Sequence, residues 1–237
     1  MGRQIRAEQS GDIWRDGALV SVDDASARAN LANRVRDHLL TQLTSGELRP
    51  GDRINEAALA RTLGMSRNPV REAVAAVAAH GYLTPAPNRG HFIRTFSKSD
   101  VDELFTFRIA LETFALREAM EKMPLAPRRT IDAIVDRMIA HARAGRVAEV
   151  HDADVAFHRA IAEAAQNRHL STAFASMECE VRMLIASVKA EFDPPLDAAE
   201  GHRPVSRAIV EGDADAAHAA LDAHIRKTWR DVAKSLS

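Results

Sequence analysis

The sequence predicts a mainly α-helical protein of two domains, a winged helix-turn-helix followed by an all-α six-helix bundle. Composition favours helices, because the 237 residues are 46% hydrophobic but only 5% aromatic and are rich in Ala, Leu and Arg, which lose little on entering a helix. Apolar residues recur at helical spacing along most of the chain, whereas a β-hairpin pattern stands out near residues 82–95. The length suits two modest domains.

The first helix is expected after a polar tail. Residues 1–25 are polar and aperiodic, and we assign no function to them. A helix is predicted over residues 27–48, ending near Gly46 and the Pro50-Gly51 turn. Its apolar positions repeat at helical spacing: Leu31, Val35, Leu39 and Leu43.

A helix-turn-helix pattern follows. A short helix over residues 56–63 ends at Gly64 and precedes a second helix that carries arginines. Ser66 is a suitable N-cap for this second helix, because its hydroxyl can accept a hydrogen bond from a free backbone N–H. Pro69 is tolerated in the first turn, where its missing N–H has no partner to lose.

The arginine-bearing helix has two distinct faces. Arg67 and Arg71 point to one side together with Asn68, and a separate apolar stripe suits the core: Val70, Val74 and Val77. A solvated surface helix would explain such a motif in isolation. However, residues 61–94 hold five arginines and one acid in a chain of net charge −1, and this local basic surface favours contact with a phosphate backbone.

A β-hairpin is predicted after the arginine-bearing helix. Extended segments at residues 82–84 and 91–95 flank a turn of Pro, Asn and Gly residues, with Arg89 and Gly90 at its basic tip. The hairpin completes a winged helix-turn-helix over residues 26–96.

The remainder of the chain, residues 97–237, predicts an all-α domain. Gly, Pro and Asn residues separate six helical segments: 99–122, 127–144, 147–166, 169–192, 199–211 and 213–235.

Composition also limits the compartment. The lone cysteine, Cys179, cannot form an internal disulfide framework, so a reducing compartment is the simplest context. No signal peptide and no run of apolar residues long enough for a membrane span is apparent. We therefore expect a soluble cytoplasmic protein.

Two polar residues interrupt an apolar helix face in the second domain. Asp154 and His158 lie one turn apart on that face, and burying an ionised carboxylate alone costs on the order of several kcal/mol. A metal shared with His158 would compensate Asp154. His202 and His224 lie on the apolar sides of later helices and could converge on the same ion, although a hydrogen-bonded core histidine is the ordinary alternative.

The first domain resembles the GntR family of bacterial transcription regulators. The resemblance rests on three segments: Gly46 to Gly51, Leu59 to Val74, and Asn88-Arg89-Gly90. It implies that Ser66, Arg67, Asn68 and Arg71 enter the DNA major groove and that the wing around Arg89 and Gly90 lies at the minor groove. Asn68 and Ala57 differ from the commoner family residues, so a different target sequence is expected.

The second domain resembles the FCD effector domain of the FadR subfamily, in its VanR-like six-helix form. The resemblance implies a metal site, because four residues match that domain's ligand positions in order: Asp154, His158, His202 and His224. Imidazole and carboxylate ligands suit zinc, nickel or manganese, and zinc is the first choice.

An effector could complete the coordination shell of such a metal. A small organic acid would bind the open positions, and an arginine would hold the rest of the anion. Arg108 is the first candidate, because it lies on the apolar face of the first bundle helix. An ion pair with Glu112, one turn on, is an equal alternative. Arg182 is a weaker candidate, since it flanks an apolar stripe and could be solvated.

These patterns predict a one-component transcription factor and not an enzyme. The expected protein is a homodimer that binds a palindromic DNA operator. A small organic acid would control this binding by changing the spacing of the two DNA-binding heads. Family resemblance favours repression. One alternative is a metal-dependent hydrolase or lyase with an accessory DNA-binding domain, although no further acid or base stands at a recognisable spacing. In another, the metal is only structural or is itself the signal.

Overall fold

The computed structural model describes residues 13–15, 18–20, 22–45, 47–188 and 195–235. The predicted helix end at Gly46 lies outside these residues, as do positions 189–192 of the predicted fourth bundle helix. Much of the predicted tail also lies outside them, namely residues 1–12, 16, 17 and 21.

The first domain packs its helices around one core and adds a wing. Its elements are β1 Ile13–Arg15, β2 Ala18–Val20, α1 Val22–Ser45, α2 Glu56–Thr62, α3 Arg67–Ala79, β3 Leu83–Ala86 and β4 Gly90–Ile93. The apolar positions predicted for α1 and α3 are buried in that core. The wing is the antiparallel pair β3–β4, in which Leu83 pairs with Ile93 and Ala86 with Gly90.

Two details of the N-terminal region differ from the prediction. Within the segment predicted as an aperiodic tail, β1 and β2 pair antiparallel. In addition, α1 begins at Val22, before the predicted domain boundary at residue 26. The apolar repeat that marked this helix starts only at Leu31, so it carried no information about the first two turns.

Ser66 occupies the N-cap position of α3, but its side chain makes no capping hydrogen bond. This corrects the predicted role of its hydroxyl. Pro69 contributes to this, because a capping hydroxyl accepts from the second or third helical N–H and Pro69, the third helical residue, has none. The exposed hydroxyl of Ser66 is therefore not needed by the helix.

The second domain is a bundle of helices around a continuous apolar core. Its elements are α4 Lys98–Lys122, α5 Leu125–Arg143, α6 Val147–Ala164, α7 Arg168–Val188, α8 Pro195–Glu200, α9 Arg203–Glu211 and α10 Ala214–Ser235. The central helix α4 packs against α6, α7 and α10. The domain thus has the six predicted long or medium helices and the additional short α8.

The predicted fifth bundle helix, residues 199–211, is divided in the structure. It breaks at Gly201 and His202, between α8 and α9. Pro204 explains the break, because its ring nitrogen cannot donate the hydrogen bond that a continuous helix would make to the carbonyl of Glu200. The break places His202 at the N-cap of α9, facing into the bundle.

The two domains contact each other through α7. Met183 on α7 is buried in the core of the first domain, and Glu180 forms an ion pair with Arg94 at 3.0 Å. In the part of the chain that the structure describes, no helix is long and apolar enough to cross a membrane.

Gly212 ends α9 in a left-handed conformation that an alanine would strain. Its φ is +82°, and a Cβ atom there would lie 2.7 Å from Nη1 of Arg128. The same guanidinium donates hydrogen bonds to the carbonyls of Met120 and Met123 at the end of α4, at 3.1 and 3.0 Å. Gly212 thus leaves room for a contact between distant helix ends.

Gly212→Ala is expected to lower the free energy of unfolding by about 2 kcal/mol, of which about 1 kcal/mol is backbone strain and the rest is displacement of Arg128. Gly145→Ala is the matched control, because its φ is +68° and nothing lies within 4 Å of the added methyl. It should lose only the strain component in urea denaturation. Equal losses for both variants would show that the Arg128 contact contributes nothing.

Candidate functional site

The four predicted metal ligands come together at the centre of the bundle. Asp154 and His158 lie one turn apart on α6, His202 precedes α9, and His224 lies on α10. Each offers one ligand atom, and these atoms all lie within 4.8 Å of one another. His158 and His202 are each only 2% exposed, whereas the side chain of Asp154, expected to be buried, is 22% exposed.

Two imidazole nitrogens at this cluster have no hydrogen-bond partner. Nε2 of His158 and Nε2 of His202 are both buried and unsatisfied. The latter lies 3.0 Å from Oδ1 of Asp154, but not in hydrogen-bonding geometry. Leaving a buried polar atom unpaired costs about 1–3 kcal/mol and is rare. A cation bound between these lone pairs would remove that cost, so the residues fit a metal ion.

The opposite nitrogens of the same two rings are held by acceptors. Nδ1 of His158 lies 2.5 Å from Oε2 of Glu112, and Nδ1 of His202 lies 3.0 Å from the carbonyl oxygen of Ala198. A proton on each Nδ1 leaves the lone pair on Nε2, directed at the cluster. Metal-binding histidines are oriented in this way by their surroundings.

The protonation states of Asp154, His158 and His224 also suit a metal. Desolvation lowers the pKa of His158 in spite of the nearby Glu112, and desolvation together with the neighbouring imidazoles lowers the pKa of His224 well below its usual value. Desolvation would raise the pKa of Asp154, but the adjacent His202 and His158 outweigh it and hold that pKa far below its ordinary value. Neutral imidazoles and an ionised carboxylate are the forms that coordinate cations.

Arg108 lies in the buried ion pair that the sequence left as an alternative. Arg108 is 2% exposed, and its Nε donates to Oε1 of Glu112 at 2.6 Å. Burial would raise the pKa of Glu112, but His158 and Arg108 lower it, so the carboxylate stays ionised. The sequence analysis named Glu112 only as an ion-pair partner of Arg108 and not as part of the site. The one sequence feature that pointed to Glu112 was its position one turn after Arg108 on an apolar helix face.

Arg182 is held by carboxylates and is not freely solvated. Its Nη2 lies 2.6 Å from Oδ1 of Asp152 on α6, and its Nε lies 3.7 Å from Glu178. The side chain is 18% exposed. It therefore ties α7 to the helix that carries Asp154 and His158.

The first turn of α3 presents polar side chains to solvent. Ser66, Arg67, Asn68 and Arg71 are all exposed. The apolar stripe of the same helix faces the core, with Val70 and Val74 fully buried. Within the part of the chain that the structure describes, neither arginine forms an ion pair, so both guanidinium groups are available to an anionic partner.

The wing adds a second basic surface. Arg89 at its tip is exposed and lies over the ring of Phe92, 5.4 Å from the centroid. Gly90 has a φ of +86°, and a Cβ there would lie 3.7 Å from Nε of Arg53. Arg53, which the sequence reasoning did not assign, therefore lies beside the wing tip because its backbone pairs with Phe92.

Two known protein families match the two domains. Residues 31–93 match the family described as bacterial regulatory proteins, gntR family. Residues 103–227, more than half of the chain, match the FCD domain. The first match contains α3 and the wing, and the second contains all four residues of the cluster.

Individual relatives agree with these matches. A protein of Paenarthrobacter nicotinovorans described as "Probable D-xylose utilization operon transcriptional repressor" is 34% identical over 84% of this chain and 87% of its own length. The HTH-type transcriptional regulator LutR of Bacillus subtilis is 29% identical over 77% of this chain and 92% of its own length. Both are named as transcriptional regulators, in agreement with the prediction of a regulator and not an enzyme.

Solved structures support the fold. Escherichia coli McbR/YncC superposes with a TM-score of 0.74 at 20% identity, covering 87% of this chain and 99% of its own. A GntR-type regulator from a Rhodococcus species gives a TM-score of 0.73 at 22% identity, covering 87% and 97%. At this identity the likeness concerns the arrangement of helices and wing.

Proposed function

The chain belongs to the GntR family of bacterial transcriptional regulators, with a C-terminal FCD domain, and we propose that it is a repressor controlled by a small organic acid bound at a metal. Residues 26–96, extended back to the start of α1, would bind DNA. Residues 97–237 would bind metal and effector and would dimerise. Such a regulator acts in the cytoplasm, where its DNA target lies.

The observation that carries the metal part of this proposal is the pair of buried, unpartnered Nε2 atoms of His158 and His202. Together with Asp154 and His224 they supply three imidazole nitrogens and one carboxylate oxygen, a donor set for which zinc is the first choice and nickel or manganese are compatible. Bound there, the ion would supply a Lewis acid able to hold an anionic ligand. Composition offers no thiolate at this cluster.

The side chains around the cluster would set how that ion is held. Glu112 would keep Nδ1 of His158 protonated and so aim Nε2 inward, and the carbonyl of Ala198 would do the same for His202. Because Glu112 also accepts from Arg108 at 2.6 Å, Arg108 has two available roles. It would neutralise Glu112, and it would reach an effector only by leaving that pair.

The DNA part of the proposal rests on the exposed first turn of α3. Arg67, Asn68 and Arg71 would read base edges in the major groove, and the Ser66 hydroxyl, which the helix does not use, would be available to a phosphate. Arg89 and Gly90 on the wing would lie at the minor groove. Two such units in a homodimer would match a palindromic operator.

Repression is supported by the relative from Paenarthrobacter nicotinovorans, which is 34% identical and described as a probable transcriptional repressor. Effector binding in the bundle would reach the DNA-binding domain through α7. Arg182 and Asp152 join α7 to α6, and Glu180 and Met183 join α7 to the first domain. A small shift of α7 would then change the separation of the two heads.

Isothermal titration of the zinc-loaded protein tests the effector proposal. The probes are small dicarboxylates, sugar acids and hydroxy acids, each titrated into the zinc-loaded protein and into protein stripped with a chelator. At least one acid should bind the loaded protein and give no heat with the stripped one. Binding that is unaffected by stripping, or the absence of binding by every acid, would contradict an effector site at the metal.

A further inference from the structure

His202 differs from the other three residues of the cluster because it lies outside a helix. Asp154 and His158 lie within α6 and His224 lies within α10, so helical hydrogen bonds fix the backbones of those three residues. His202 lies at the break between α8 and α9. Its position therefore depends on how the first turn of α9 is held against the rest of the bundle.

The first turn of α9 is tied to α5 by a network of charged and polar side chains. Nη1 of Arg203 donates to Oδ1 of Asp132 at 2.9 Å, and Nη2 of the same guanidinium donates to Oδ1 of Asp136 at 2.5 Å. The Ser206 hydroxyl donates to Oδ1 of Asp132 at 2.7 Å. We name these four residues the α5 clamp. It joins two carboxylates one turn apart on α5 to the start of α9.

The α5 clamp reaches His202 through the backbone. Arg203 is the next residue along the chain, and the backbone N–H of Ser206 donates to the carbonyl of His202 at 3.1 Å. Ser206 is fully buried, so it joins Asp132 to the His202 backbone at a place that solvent does not reach. The helix α5 supplies none of the four donor atoms of the cluster, yet it holds the backbone of a residue that does.

The side chain of His202 would convert a small movement of α9 into a change at the metal site. Nδ1 lies 3.0 Å from the carbonyl oxygen of Ala198, and Nε2 lies 3.0 Å from Oδ1 of Asp154. Bond lengths at a metal site vary by only about 0.2 Å. A larger shift of the first turn of α9 would therefore weaken the bond from Nε2 to an ion.

The two sides of the break at His202 are held unequally. On the α8 side, Arg143 and Glu200 approach only to 3.4 Å, and both side chains are at least half exposed. On the α9 side, Arg203 and Asp132 are 28% and 32% exposed and share the buried Ser206. Exposed ion pairs contribute little to stability, so the α5 clamp is the stronger of the two attachments.

We propose that the α5 clamp positions His202 for metal binding, so that Arg203, Asp132 and Ser206 are positioning residues of the metal site. This inference rests on the proposed metal site. It adds to that site a helix that contributes no ligand and sets the geometry of one.

Competition with a chelator, which measures zinc affinity, tests the clamp in Asp132→Asn and Arg203→Gln. Each variant should bind zinc about 10-fold or more weakly than wild type, as is typical for residues that orient a ligand. A purely electrostatic effect would have opposite signs, because one variant removes a negative charge near a cation and the other removes a positive charge. Shifts in opposite directions, or unchanged affinity in both variants, would overturn the proposal.

Two further variants separate position from charge. The double variant Asp132→Asn/Arg203→Gln keeps the net charge of wild type and should bind zinc within about threefold of the weaker single variant, because both changes break one network. Ser206→Ala alters no charge and removes the buried hydroxyl, so it should weaken zinc binding by about threefold or more. Affinity equal to wild type in either of these variants would overturn the proposal.

Arg226→Gln is the matched control for the α5 clamp. It removes one positive charge and an ion pair at 2.7 Å with Asp222, two residues from His224, but that pair lies within the single helix α10. Zinc affinity should stay within about twofold of wild type, because an exposed pair inside one helix contributes little.

Two readouts distinguish positioning from a general loss of stability. A structural role alone would lower the melting temperature of the zinc-free variants and leave the zinc affinity of the folded protein unchanged. With Co²⁺ in place of zinc, visible absorption reports coordination geometry, and it should change in Arg203→Gln but not in Arg226→Gln. An unchanged Arg203→Gln spectrum would overturn the clamp and leave the metal site standing, whereas a wild type that takes up no zinc would contradict the metal site itself.

Discussion

His202→Ala is expected to lower zinc affinity by more than about 100-fold, beyond the range typical for residues that only orient a ligand. The variant removes one of four converging donors and leaves Asp154 without its neighbour at 3.0 Å. Zinc content, measured by elemental analysis after dialysis, should fall from one ion per chain to a small fraction. His158→Ala should behave in the same way, because it removes the other buried, unpartnered Nε2.

The same variants should lose the stability that zinc provides. A ligand at 100 times its dissociation constant stabilises the folded state by about 2.7 kcal/mol. Wild type should therefore melt at a higher temperature with zinc than after chelation, whereas His202→Ala should melt at one temperature in both conditions. This comparison separates loss of metal from loss of folding, because the stripped proteins provide a common reference.

Two controls bracket the metal prediction. Glu112→Gln keeps all four donors but replaces the charged acceptor of both His158 Nδ1 and Arg108 Nε with a neutral amide, so zinc affinity should fall by about 10–100-fold. His169→Ala removes an exposed imidazole on α7 and should change nothing. A His202→Ala variant that binds zinc as tightly as wild type would contradict the proposed ligand set.

The second large effect is expected at the start of α3. Arg67→Ala and Arg71→Ala should each weaken operator binding by about 1–3 kcal/mol, or about 5- to 150-fold, if each reads a base edge. The measurement is fluorescence anisotropy with an operator selected from a random DNA pool. An arginine that contacts only phosphate should instead weaken all sequences uniformly and reduce the salt slope by about one.

Arg129→Ala is the matched control for the DNA prediction, because Arg129 is also exposed but lies on α5 of the second domain. Operator binding by wild type should weaken steeply as salt rises, since phosphate contacts release counterions. Affinity that is insensitive to salt, or unchanged in both arginine variants, would contradict the assignment of α3 as the DNA-reading helix.

The fold could be predicted from the sequence because each pattern that indicated a helix, a turn or a hairpin was local. The four-residue apolar repeat of α1, the turn at Gly64 and the hairpin at Gly90 each depend on a few neighbouring residues. The metal cluster was also within reach, because Asp154 and His158 are residues that an apolar helix face does not ordinarily contain. His202 and His224 were further candidates because they lie on the apolar sides of later helices, and the family resemblance made their convergence on the same ion the expected arrangement.

Features that depend on contacts between distant elements could not be predicted in the same way. Glu112 belongs to the site only because α4 packs against α6, 46 residues away along the chain. The break before α9 follows from Pro204, but its consequence, the inward position of His202, depends on packing. The hydroxyl of Ser66, which makes no capping hydrogen bond, is the opposite case. Pro69 removes one of the N–H groups that this hydroxyl could have bound, and that effect was predictable from the sequence alone.

Control of DNA binding through the metal is tested most directly by operator binding of wild type and His202→Ala, each titrated with the same panel of organic acids at fixed zinc. At least one acid should weaken operator binding by wild type about tenfold or more, a coupling of about 1.4 kcal/mol. The same acid should leave His202→Ala, still able to bind operator, unchanged. An acid that releases both proteins equally, or no acid that releases wild type, would contradict control of DNA binding through the metal.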